Sequence, residues 1–140
     1  MLSVPQILFA MILGWALLYA WTRRGTEEKV AATAIAAATF LTPVMQDRAF
    51  AGPELGILLV DTLLFLVLAG LSLRSRAFWP LWAAGFQLGT LAVHLAAAQM
   101  PEMLPAVYAE TLIIWSFPVL VVVAMGIHGE ARGARPNSGM

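Results

Sequence analysis

Long apolar runs separated by short polar breaks set the pattern of this chain. A membrane-crossing helix needs roughly 17–25 mainly apolar residues. Five segments read that way, over residues 4–22, 30–45, 54–72, 78–98 and 106–127. The breaks hold the polar and turn-forming residues: Arg23 to Lys29, Gln46 to Pro53, Arg74-Ser75-Arg76, and Met100 to Pro105. Pro80 falls in the first turn of the fourth segment, where a missing N–H costs little. Pro118 inside the fifth predicts a kink. The predicted fold class is all-α, a polytopic transmembrane bundle of five spans. It forms one domain over 1–128, followed by a flexible cytoplasmic tail over 129–140, where Gly, Pro, Asn and Ser gather.

The second segment is the weakest. Sixteen residues reach only ~24 Å at about 1.5 Å each, against a hydrocarbon core of ~30 Å. It is rich in Ala, with Thr33, Thr39 and Thr42 inside it and Pro43 near its end. Small residues let helices approach closely, so such a segment can cross a thinned region when packed on its neighbours. The alternative is a half-helix, leaving four spans. Charge favours five. With five crossings one side carries Arg23, Arg24, Lys29, Arg74, Arg76, Arg132 and Arg135, and the other carries Arg48 alone. Basic residues accumulate in cytoplasmic loops, which puts the N-terminus outside and the C-terminus in the cytoplasm. Arg23-Arg24 follows the first apolar run instead of preceding it, the reverse of a cleavable signal, so residues 4–22 read as a retained helix.

Composition agrees. Hydrophobic residues make up 61% and charged residues 11%, against a usual charged share of about 25%. That is too little charge to cover a water-soluble particle. The net charge is zero, so there is no basic surface for nucleic acid, and no Cys is present for disulfides, thiolate metal sites or thiol catalysis. No nucleophile–base arrangement, phosphate loop, haem motif or H-x-x-x-H spacing is found. The expectation is therefore no catalytic residue, no metal site and no cofactor.

The informative residues are Asp61, Gln87, His94 and Glu110, each inside a predicted span. Ionisable groups in a bilayer are expensive and usually face the bundle interior or a wet cavity. Counted from the outer helix ends, Asp61 lies ~10 Å deep, and His94 and Glu110 ~6 Å deep. Gln87 is two turns below His94 on the same face, with Thr90 between them. Asp61 and His94 are expected to be neighbours in one polar cluster, with Gln87 below and Glu110 nearby. Three readings are open: hydrogen bonds that hold the bundle together, hydration near the headgroups (Glu110 and His94 foremost), or a proton, cation or ligand site. An Asp–His pair has the chemistry of a proton acceptor. Gly85 and Gly89 form a GxxxG, expected at a close helix–helix contact. Phe78, Trp79 and Trp82 read as an interfacial aromatic belt.

Glu54-Leu55-Gly56, Val60-Asp61, Leu73-Arg74-Ser75-Arg76, Trp79-Pro80-Leu81-Trp82, Gly85-Phe86-Gln87, His94 and Pro105 to Ala109 carry a further signal. Over roughly residues 54–125 the chain resembles a family of small uncharacterised bacterial polytopic integral membrane proteins. The resemblance implies that Asp61, Gln87 and His94 belong together, and it implies no particular activity. The expected function is a non-enzymatic accessory or interaction subunit of a larger bacterial inner-membrane assembly. Its partners would be membrane lipid and other membrane subunits or further copies of itself. The alternative is a small oligomeric carrier or channel-like protein for protons, a cation or a small metabolite.

Overall fold

The computed structural model describes residues 4–22, 25–47, 53–99 and 105–133. They form five helices, α1 (Val4–Thr22), α2 (Thr26–Asp47), α3 (Pro53–Arg74), α4 (Trp79–Gln99) and α5 (Pro105–Gly133), with no strand among the described residues. Four stretches, Val4–Thr22, Leu55–Arg74, Trp79–Gln99 and Glu110–Gly129, are long and apolar enough to cross a membrane. The chain is a polytopic transmembrane helical bundle.

Two helices, α2 and α5, outrun their apolar segments by a turn or more. Thr26, Glu27, Glu28 and Lys29 join α2, so it begins four residues before the expected span and ends two after it, at Asp47. Glu27 and Glu28 in its first turn suit the partial positive charge of a helix N-terminus. Its 22 residues extend ~33 Å, so the expected shortfall in length disappears. What keeps α2 apart from the other four is polarity. At the other end of the chain α5 continues through Gly133, so the start of the expected tail is helical. Glu130, Ala131 and Arg132 are good helix formers and carry it past Gly129. The remainder of that tail, residues 134–140, lies outside the described residues. Pro118 sits within α5, and the helix continues on both sides of it.

Each helix packs on the next, α5 returns to α1, and α2 also reaches α5. The result is a ring of five with one contact across it. Register gives the directions. Trp79 meets Gly126, and ten residues further along α4, Gly89 meets Trp115, eleven residues earlier on α5. These two helices are therefore antiparallel. Phe9 meets Phe117 edge-on at 5.7 Å. Ile12, three residues on, shares a cleft of about 380 Å³ with Val121 and Met125, so α1 and α5 run in the same direction.

The core joins small surfaces to large ones. Leu13, Ala16 and Ala20 of α1, with Ala31, Ala32, Ile35 and Ala36 of α2, are buried at the α1 and α2 end of the cluster. Leu64 and Leu68 of α3, Trp79, Ala83 and Ala84 of α4, and Val119, Leu120, Val123 and Ile127 of α5 complete it. The outer faces are apolar too: Leu55, Leu59, Leu63 and Leu66 of α3 are more than half exposed. Lipid accepts such a surface, which water would not.

Glycines set the α4–α5 approach, but not the pair the GxxxG spacing suggests. A methyl group on Gly89 would come within 2.6 Å of the Trp115 ring, whereas one on Gly85 would meet nothing within 4 Å. Gly85 faces outward, on the wall of a cleft of about 420 Å³ with Leu81, Trp82, Phe86 and Trp115. The second close contact is instead Gly126 against Trp79, at 2.5 Å from an added Cβ. One tryptophan from each helix thus covers one glycine of the other.

A polar clip between the third and fourth helices

The turn between α3 and α4 is short and tied. The Ser75 N–H donates to the Leu71 carbonyl at 2.8 Å, and the Ser75 hydroxyl oxygen accepts the Ala77 N–H at 3.0 Å. A tied turn fixes the register of the two helices. Asp61 lies 13 residues before Arg74, the last residue of α3, and His94 lies 15 after Trp79, the first of α4. Those counts correspond to ~20 and ~22 Å of helix, so the two side chains arrive at one depth.

The buried stripe of α4 comprises Trp79, Pro80, Ala83, Ala84, Gln87, Thr90 and His94. Spacings of three and four keep these on one helix face. The stripe is apolar as far as Ala84 and polar from Gln87 onward. Opposite the polar half stands Asp61. His94 Nε2 and Asp61 Oδ2 are 2.7 Å apart. Gln87 Nε2 donates to Asp61 Oδ1 at 3.1 Å and approaches the Asp61 carbonyl oxygen at 3.4 Å. Both carboxylate oxygens are therefore engaged by α4. The His94 side chain is 3% exposed and that of Asp61 17%. An intramembrane carboxylate set among apolar helices is costly unless hydrogen-bonded, and this one holds two partners from one neighbour.

Thr90 completes the polar face. It is 1% exposed, and its hydroxyl has no hydrogen-bond partner among the described residues. Thr39, Thr42, Thr62 and Ser116 each return their hydroxyl to the carbonyl four residues back, at 2.7–2.9 Å. Thr90 does not do this.

Glu110 takes no part in the clip: its side chain is exposed. Counting five residues from the Gly89–Trp115 contact along each helix places it level with His94. It shares a helix face with Ile114, Val121 and Met125, all exposed, and so points out of the bundle. Depth agrees with expectation and direction does not. His128 lies on that same exposed face, 18 residues away or ~27 Å, close to the ~30 Å thickness of a hydrocarbon core.

One buried carboxyl group was missed in the sequence. Glu28 is 2% exposed, at the start of α2. The signal was available, since Glu28 continues the buried series Ala31, Ala32, Ile35, Ala36 one step back at helical spacing. Reading 23–29 as a loop hid it. Among the described residues no group of three or more His, Cys, Asp or Glu could hold a metal ion. No family model, curated protein or solved structure matches the chain.

Proposed function

We propose that this protein is a non-enzymatic accessory or interaction subunit of a larger assembly in the bacterial inner membrane, with its N-terminus outside and its C-terminus in the cytoplasm. One observation carries the reading: the Asp61 carboxylate spends both oxygens on α4. A group so engaged ties two helices together and leaves the outer faces for contacts with other molecules. Those faces are apolar, suited to lipid and to other membrane helices. The orientation rests on the distribution of basic residues, with Arg48 alone on the outer side.

Native mass spectrometry from a mild detergent tests this. Foreign subunits at fixed stoichiometry are the expected result. A monomer without partners, also unlinked after crosslinking in intact membranes, would overturn it. A homo-oligomer would favour the second reading, a small carrier or channel-like protein. The observation behind that reading is the Asp61–His94 contact itself, with one partly accessible member.

A further inference from the structure

The outward cleft between α4 and α5 is a groove along one row of α4. The Trp82 N–H donates to the Phe78 carbonyl at 3.4 Å, so Phe78 extends the helix backward by one residue. Phe78, Leu81, Trp82, Gly85 and Gly89 then share a face at spacings of three and four. Gly85 supplies no side chain, and an added Cβ there would meet nothing within 4 Å. Leu81 walls one side of the gap. Trp82 and Phe86, a tilted ring pair with centroids 6.3 Å apart, wall the other. The volume of about 420 Å³ falls in the range of small-molecule sites, about 300–1,000 Å³.

Its length is that of one membrane leaflet. The Trp115 ring lies against Gly89 and closes the inner end. Gly89 is ten residues past Trp79, where α4 begins. That is ~15 Å of helix, half of a hydrocarbon core of ~30 Å. A helix of another subunit would run on through both leaflets. An acyl chain entering at the α3–α4 turn ends where Trp115 stands.

The entrance carries positive charge. Arg74 ends α3, and Arg76 lies in the turn, two residues before Phe78. Both are exposed, and among the described residues neither pairs with an acidic side chain. A guanidinium is always charged and matches phosphate oxygens in pairs. The described carboxylates at that end, Glu27 and Glu28, belong to α2, which makes no contact with α4 among the described residues.

We propose that this cleft binds one anionic phospholipid, with an acyl chain in the groove and its phosphate on Arg76 and Arg74. Trp82 and Phe86 hold the chain, the two arginines select the headgroup, and Trp115 sets the depth. This does not depend on whether the protein acts alone or as a subunit.

The test is native mass spectrometry of the full chain, delipidated in a neutral detergent and titrated with phosphatidylglycerol or with phosphatidylcholine of the same acyl chains. One phosphatidylglycerol should bind, roughly tenfold tighter than phosphatidylcholine. Arg74→Gln combined with Arg76→Gln, both at exposed positions, should erase that preference. Gly85→Leu should fill the groove and weaken both lipids by roughly tenfold, with helix content unchanged by circular dichroism. If Gly85→Leu does not fold, Leu81→Cys supplies the readout, as the one thiol in a chain without Cys. Phosphatidylglycerol should slow its alkylation and phosphatidylcholine should not. Equal affinities for the two lipids, a preference that survives the double substitution, or binding untouched in a folded Gly85→Leu variant would overturn the site. A disulfide between two Leu81→Cys chains in intact membranes would overturn it in favour of a second copy seated in the cleft.

Discussion

Gly126 is where one methyl group should do the most damage. A Cβ built there lies 2.5 Å from Trp79 Cγ and 2.6 Å from Cδ1 and Cδ2. Carbon atoms in contact prefer about 3.5–4.0 Å, so the two groups must separate by roughly 1 Å. The atoms struck are at the base of the indole, where turning the ring gains little, and Trp79 is only 8% exposed. Over-packing of this kind costs about 1–3 kcal/mol, while replacing Gly by Ala within a helix returns about 1 kcal/mol. Gly126→Ala should therefore destabilise by up to ~2 kcal/mol. Gly85→Ala is the control. Its Cβ meets nothing within 4 Å, so only the propensity gain applies, up to ~1 kcal/mol. Subtracting the two variants cancels propensity and isolates the clash, ~1–3 kcal/mol. Gly89→Ala should fall between them, because it strikes Cζ3 and Cε3 at the far edge of Trp115, a ring exposed enough to swing aside. Reversible unfolding in mixed micelles, followed by circular dichroism, gives the order. In a Trp79→Ala background the penalty at Gly126 should vanish, since the obstacle has gone. Equal stability of the Gly85 and Gly126 variants, or a penalty that survives Trp79→Ala, would refute the reasoning.

Three further outcomes are expected. Asp61→Leu should cost more than Asp61→Asn, because it removes the side-chain acceptor facing His94 Nε2 and leaves the Gln87 amide only the backbone carbonyl of residue 61 at 3.4 Å; the excess should be of order 1–3 kcal/mol, nearer the bottom of that range if membrane helices re-pair as readily as the ~0.6 kcal/mol average implies, and the same unfolding assay measures it. Thr90→Val removes a buried hydroxyl that has no partner among the described residues, so melting should be unchanged or higher, and a loss above ~1 kcal/mol would show that the hydroxyl is satisfied in the membrane. Reporter fusions after Arg24 and Arg76 should report cytoplasm and one after Asp47 the outside; a cytoplasmic signal after Asp47 would place α2 on one side of the membrane.

Axial position proved easier to read than azimuth. Residues per turn and rise per residue turn a count into a depth, and so Asp61, Gln87 and His94 could be set at compatible levels before any contact was known. Facing direction needs a contrast between the two sides of a helix, and here there is little. On α3, Leu59 and Leu63 point out while Leu64 and Leu68 point in, all of one residue type. Glu110 shows the result: its level was legible and its outward face was not. Gly85 and Gly89 show it again, since the GxxxG names a face but does not say which glycine a neighbour reaches. Trp79 against Gly126 joins residues far apart in the chain, and no local pattern announces such a pair. The limits of α2 and α5 were misjudged for another reason. Helix ends follow capping and propensity, whereas an apolar run marks only where lipid begins.

The ring topology has a consequence for biosynthesis. The contacts of α5 with α1 and α2 join the latest-made of the five described helices to the two made earliest. Until α5 emerges, Ala16 and Ala20 of α1 and the small-residue face of α2 lack part of their final cover. α2, the most polar of the five, then has to be held by α1 and α3 alone. A ribosome stalled before residue 105 should therefore leave a nascent chain that is inserted but unlocked, open to membrane proteases. Emergence of the 29-residue α5 would be the event that closes this ring of five.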